Sequence, residues 1–164
     1  MGRVCRGKAV GGRPLNWVVS HQVTVARAKL SEVLEAFEFV SAGPPMEHVA
    51  YLCGDTGSIY WHSEYGDDFE PLPSDIDEPE KYIEIPHKND LDLGKRLALK
   101  FAEEVLAGDY DAVRGIFSRR GAYARFKDLL ELRGALDRWY EYETTAQEAA
   151  LRQWCEESGI ELDG

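Results

Sequence analysis

The sequence predicts an α+β fold: an N-terminal helix and a small antiparallel β-sheet (a hairpin plus a third strand), followed by a C-terminal bundle of four to five short helices. Two observations carry this. In "HVAYLCGDTGSIYWHS", residues 48–63, two short runs of aromatic and β-branched residues flank a glycine-bearing turn, which is the signature of a hairpin. From residue 90 the apolar period becomes helical, with Leu93, Leu97, Phe101 and Val105 four residues apart.

Residues 1–22 contain four glycines and a proline without clear period, and read as a flexible basic arm or an extended start preceding a single domain over 23–164. Ala26, Leu30, Val33, Leu34 and Phe37 recur at helical spacing, and "AGPP" at 42–45 stops that helix. In the hairpin, a three-residue loop Asp55-Thr56-Gly57 with Gly57 left-handed pairs Tyr51 with Trp61 and Cys53 with Ile59. Val49, Tyr51, Cys53, Ile59 and Trp61 then share one apolar face. Residues 64–80, rich in carboxylates and prolines, read as a solvated linker, and "KYIEIPH" at 81–87 offers the third strand, closing a β-rich part over about 47–87.

In the helical part, about 90–160, Gly108 ends the first helix and Asp109 is placed to cap a short one carrying Val113, Ile116 and Phe117. Gly121 and Gly134 separate the next segments. Thr145 with Glu148 reads as a capping box opening a last helix, which ends at Gly159.

The 164 residues suffice for one domain with a real core, since a chain of about 150 residues buries roughly two thirds of its unfolded surface. No apolar run approaches the roughly 20 residues of a membrane span, so no membrane partner is expected. Three scattered cysteines, Cys5, Cys53 and Cys155, form neither a disulfide framework nor a zinc motif, which points to a reducing cytoplasm. The net charge is -11 but unevenly spread. Residues 1–31 carry six basic groups and no acid, residues 64–92 carry eleven acids against two lysines, and residues 114–138 carry seven basic groups against three acids. Nucleic-acid binding would have to come from a local basic patch working against the global field.

The phrases "YLCGDTGSIYW", "YIEIPHKNDLDLGKRLALKFAEE", "DYDAVRGIFSRRGAYARFKDLL" and "RWYEYETTAQEAALRQWCEESGIEL", in that order, resemble the bacterial proteins grouped as uncharacterised protein family 158. The resemblance covers roughly residues 30–162. It implies no catalytic residues, because the family has no established activity. Members usually have an acidic or neutral residue where this chain has Cys53, which argues against a role for that thiol.

The chemistry on offer is sparse. In "SRRGAYARFKDLL", 118–130, the helical stripe Ala122, Tyr123, Phe126, Leu129 and Leu130 faces the core, leaving Arg125 and Lys127 on opposite flanks about 160° apart. Arg125 is placed to reach Asp128, and Lys127 to reach Glu131. Arg119, Arg120 and Gly121 stand at a helix–helix corner. They either complement the carboxyl end of the preceding helix or join the free amides after Gly121 in holding a phosphate or carboxylate. The second helix exposes Ala124, Lys127, Asp128 and Glu131, a poor set for reading DNA, so sequence-specific DNA binding is not expected.

His48 and His62 lie near the open end of the hairpin, where they and Glu64, Asp67 or Asp68 are the candidate metal ligands; His87 suits a hydrogen-bonding role at least as well as a catalytic one. No nucleotide-binding loop, nucleophile elbow or zinc-protease motif occurs, and no cofactor is expected. The resulting expectation is a non-catalytic cytoplasmic binding or adaptor domain with an anion-binding corner at Arg119–Gly121, its partner a protein or a phosphate-bearing ligand. Two alternatives remain: a small metal- or histidine-dependent hydrolase or transferase with its site near the hairpin, and weak non-specific nucleic-acid binding through the basic arm.

Overall fold

The computed structural model describes residues 26–66 and 68–163; the arm expected over 1–22 lies outside them. The fold is mixed α+β. The chain forms β1 (Ala26–Lys29), α1 (Leu30–Val40), β2 (His48–Cys53), β3 (Ile59–Ser63) and β4 (Tyr82–Glu84). It then makes a 3-10 turn (Lys88–Leu91), α2 (Lys95–Val105), a second 3-10 turn (Ala107–Asp109), α3 (Tyr110–Ile116), α4 (Ala122–Leu132), α5 (Leu136–Glu157) and β5 (Ile160–Asp163).

The first departure from expectation concerns residues 26–29 and 160–163. Ala26 belongs to a strand rather than to the first helix: β1 pairs in parallel with β5, Ala26 opposite Ile160 and Lys29 opposite Asp163. Ala26 and Ala28 are buried while Arg27 and Lys29 point out, a period of two that is too short to stand out in the sequence. Arg27 reaches across the pair to Glu161 at 2.9 Å and Asp163 at 3.3 Å. Gly159, left-handed at φ 74°, ends α5 as expected and turns the chain straight into β5. Helix α1 buries Leu30, Val33, Ala36, Phe37 and Val40.

The second departure is the hairpin register. The sheet order is β3-β2-β4, all antiparallel, so the third strand is where "KYIEIPH" placed it. Tyr51, however, faces Tyr60, and Leu52 faces Ile59. The loop holds one more residue than expected. The Gly57 amide donates to the Cys53 carbonyl at 2.8 Å and the Cys53 amide to Ser58 O at 2.8 Å, which enclose Gly54 through Gly57. That extra residue turns β2 over. Ala50 and Leu52, both fully buried, face α1 together with Ile59, Trp61 and Ile83, whereas Tyr51 and Cys53 lie on the other face. There the 73–81 segment is tied down rather than freely solvated, because the Asp75 carboxylate accepts from Lys81 Nζ and from Tyr82 Oη at 3.0 Å.

Gly57 is left-handed, as expected, and also fills a second role. A Cβ there would lie 2.2 Å from the Arg27 carbonyl oxygen, so the hairpin tip docks on β1 at a distance that only glycine permits.

In the helical part, Trp139 of α5 is fully buried with its ring edge-on to Phe101 of α2 at 5.3 Å and Phe126 of α4 at 5.1 Å. Helix α5 runs unbroken for 22 residues, so Thr145 and Glu148 are mid-helix and open nothing. No glycine or proline interrupts 135–158, and Tyr142, Ala146 and Ala150 continue the packed stripe through that point. Asp109 makes no side-chain cap to α3. Its carboxylate instead receives Arg133 in two bonds, 2.8 and 2.9 Å, joining the start of α3 to the end of α4. The guanidinium holds the Asp109 carboxyl below the usual range.

Replacing Gly57 with Ala tests the docking contact. Gly134 is also left-handed, at φ 65°, but nothing lies within 4 Å of its Cβ position, so Gly134→Ala should cost about 1–2 kcal/mol from backbone strain alone. Gly57→Ala is expected to cost clearly more in denaturant unfolding; equal costs would mean that β1 gives way at no penalty.

Candidate functional site

Helix α3 ends at Ile116, the chain crosses Ser118, Arg119 and Arg120, and Gly121 at φ 70° reverses it into α4. The carboxyl end of a helix leaves carbonyls without partners. Ser118 Oγ donates to Gly115 O at 2.7 Å, and Arg125, one turn into α4, folds back to donate to the carbonyl of Arg120 and, at 3.5 Å, to that of Ile116. Arg125 therefore does not pair with Asp128 as expected. The left-handed turn at Gly121 brings the carbonyls that end α3 within reach of its guanidinium, and an exposed ion pair to Asp128 is worth too little to compete. Lys127 likewise leaves Glu131 and places its ammonium over the Tyr140 ring, 5.6 Å from the centroid.

With Arg125 serving the end of α3, Arg119 and Arg120 are released from that duty. Both are exposed, and among the described residues neither enters an ion pair or side-chain hydrogen bond. They stand beside the amino end of α4, whose first turn holds no acid and whose cap position, Gly121, supplies no side chain. The first turn of α4 thus carries the positive end of the helix dipole with no acidic side chain of its own to offset it. Just before the corner, Lys95, Asp111, Arg114 and Ser118 line an open cleft of about 420 Å³.

A second cluster adjoins the first turn of α4, and nothing in the sequence pattern announced it. Lys88 Nζ lies over the ring of Tyr123, 4.4 Å from its centroid. Tyr123 also packs edge-on against Phe117 at 5.1 Å, and its hydroxyl is buried without a partner among the described residues. Burial, and then the charge of Glu143, push that phenol up to about 12. Glu143 of α5 is itself raised, because desolvation outweighs the attraction of Lys127 and Lys88. Lys88 is lowered by burial, with Lys127 adding repulsion and Glu143 opposing it. Gly94 makes room for the arrangement, since a Cβ there would come within 2.5 Å of Asn89 Oδ1 and 3.6 Å of Tyr123 Oη. Lys88 and Tyr123 are far apart in sequence and share no motif; only the core-facing position of Tyr123 on α4 was visible.

The histidines are placed differently. His48 pairs with Ser63 and Val49 with His62, so His48 and His62 lie on opposite faces of the sheet and are not brought together. His48 Nδ1 lies 2.8 Å from Ser63 Oγ, its Nε2 is 3.7 Å from Glu47, and its ring packs on Phe39. His62 is exposed. Among the described residues no group of three or more His, Cys, Asp or Glu side chains converges as metal ligands. His87 is buried: its Nδ1 accepts from the Asn89 amide at 3.1 Å, which leaves Nε2 to donate to Gly43 O at 2.9 Å, while the His87 amide donates to Asp90. It caps the 3-10 turn that carries Lys88. Cys53 and Cys155 are free and buried, Cys155 being pushed up to about 11 by burial; Cys5 and His21 lie outside the described residues.

Comparison with protein-family models, curated proteins and solved structures finds no match. No helix among the described residues is long and apolar enough to cross a membrane.

Glu143 supplies a signed test. A carboxyl that keeps its proton to higher pH in the folded chain than in the unfolded one opposes folding when ionised, and its contribution worsens as pH rises through the folded-state pKa. Glu143→Gln should therefore be more stable than the parent at about pH 7, with the advantage shrinking as the pH is lowered towards about 4. A less stable variant at neutral pH in thermal unfolding would mean that attraction to Lys88 and Lys127 outweighs the desolvation of the carboxylate.

Proposed function

We propose that the protein is a non-catalytic binding or adaptor domain that holds a phosphate- or carboxylate-bearing ligand at the Arg119–Arg120–Gly121 corner. The single observation that supports this reading is the division of labour among the arginines. Arg125 is committed to the carbonyls that end α3, while Arg119 and Arg120 stand exposed beside an uncompensated helix amino end. An anion there gains two guanidinium donors and the first-turn amides together. In the adjoining cleft Arg114 lies 3.8 Å from Asp111, which leaves Lys95 to extend the positive surface towards the rest of a ligand. Membership of uncharacterised protein family 158 and a cytoplasmic location belong to the same proposal. The hydrolase or transferase alternative gains no support from the hairpin, where the two histidines face apart.

Binding of inorganic pyrophosphate, a nucleoside triphosphate and a short RNA to the full chain, measured by calorimetry across a salt series, tests the proposal. At least one of these should bind, more weakly as salt rises, and Arg119→Ala/Arg120→Ala should weaken it by about tenfold or more, the worth of one or two charge-assisted hydrogen bonds. Both substitutions are at exposed positions, so the unfolding midpoint should barely move. Unchanged binding in the double variant would leave the corner a purely structural turn.

A further inference from the structure

A second surface lies on the hairpin. β3 is an edge strand, and among the described residues no strand pairs with its outer side. The bonds from the Cys53 amide to Ser58 O and from the Glu64 amide to Glu47 O fix which cross-strand pairs are hydrogen-bonded. Alternation along the ladder then leaves Ile59, Trp61 and Ser63 with their amides and carbonyls directed away from β2. Such an unsatisfied row is a template for a further strand.

The flanks of this edge are shaped for one kind of occupant. Two clefts, of about 430 and 200 Å³, share Ile59 and Trp61 and so follow the strand. The charged groups lining them are all acidic: Glu32 and Glu35 in one, Asp68 and Glu70 in the other. Among the described residues, three of the five large exposed hydrophobic side chains stand at this end of the molecule: Met46 (72% exposed), Tyr65 (76%) and Phe69 (37%). Apolar surface rimmed by a single sign of charge marks a protein docking site. A second copy of this chain would bring the same carboxylates against themselves. A nucleic acid would be repelled.

We propose that the outer edge of β3 receives an extended, cationic segment of a partner protein, which adds as a fourth strand. Its backbone pairs with Ile59, Trp61 and Ser63, its Lys or Arg side chains fall on the α1 side beside Glu32 and Glu35, and its apolar side chains fall on the opposite face beside Tyr60. This surface is separate from the Arg119–Gly121 corner, and either proposal can fail without the other.

The test uses the full chain and three synthetic peptides of equal length: alternating Lys and Val, alternating Glu and Val, and alternating Lys and Val with every backbone nitrogen methylated. The Lys/Val peptide should bind, less tightly as salt rises, and should slow hydrogen exchange at the Ile59, Trp61 and Ser63 amides. The Glu/Val peptide carries the opposite charge, and the N-methylated peptide keeps the positive charge but has no backbone donors, so both should bind about tenfold more weakly or not at all. Glu32→Gln/Glu35→Gln, at exposed positions of α1, should weaken the Lys/Val peptide without changing the unfolding midpoint. Equal binding of the N-methylated peptide, protection that maps elsewhere, or an unaffected Glu32/Glu35 double variant would overturn the proposal. So would concentration-dependent dimerisation through these amides, or amides already protected in the chain alone.

Discussion

The burial of Trp139 is the constraint on which the helical half depends. Its indole is edge-on to Phe101 of α2 and Phe126 of α4, so three helices that are separate in sequence share one contact. Burying an indole of this size contributes roughly 4–6 kcal/mol. Its Nε1, which has no partner among the described residues, costs about 1–3 kcal/mol of that. The net gain sets the rotation of α4 about its axis. Phe126 turned inward places Tyr123 beside Lys88 and Arg125 over the end of α3. The same anchoring of α5 positions Glu143 and delivers Ile160 to pair with Ala26.

Charge is arranged around that frame with a consistent logic. The α3–α4 hairpin is clasped at both ends by arginine: Arg133 on Asp109 at the open end, Arg125 on backbone carbonyls at the corner. Those two are consumed by structure. Arg119 and Arg120 are not, and in a chain of net charge -11 an exposed basic corner beside a helix amino end is a local inversion of the global field. Lys88 and Glu143 show the opposite case, in which mutual attraction is too small to offset the loss of water, so each is shifted towards its neutral form.

Periodic elements were legible in the sequence because burial imposes the period. The α2 stripe through Leu97 and Phe101, the inner face of α1, the hairpin and the strand at "KYIEIPH" all follow from it. Features set by one residue or by distant partners were not. One extra loop residue at Gly54 inverted β2 and exchanged Tyr51 and Cys53 for Ala50 and Leu52 on the inner face; the small side chain of Ala50 gave no hydrophobic weight to the correct register. The β1–β5 pair joins segments more than 130 residues apart through four residues each, too few for a period to show. The break expected at Thr145 failed because a capping box needs a free helix start, and the packed stripe of α5 passes straight through it. At the corner, Arg119, Arg120 and Gly121 were placed correctly at a helix–helix turn, but which arginine serves the α3 carbonyls depended on the left-handed geometry of Gly121.

The proposed function needs the amino end of α4 to bind an anion rather than to serve only as a bend in the chain. Amide chemical shifts of the full chain during a pyrophosphate titration address this most directly. The account predicts that the amides of Gly121, Ala122 and Tyr123 move first and saturate together, and that those of Ile59, Trp61 and Ser63 stay still. Shifts scattered over all basic residues without saturation, or no movement at Gly121–Tyr123, would contradict it.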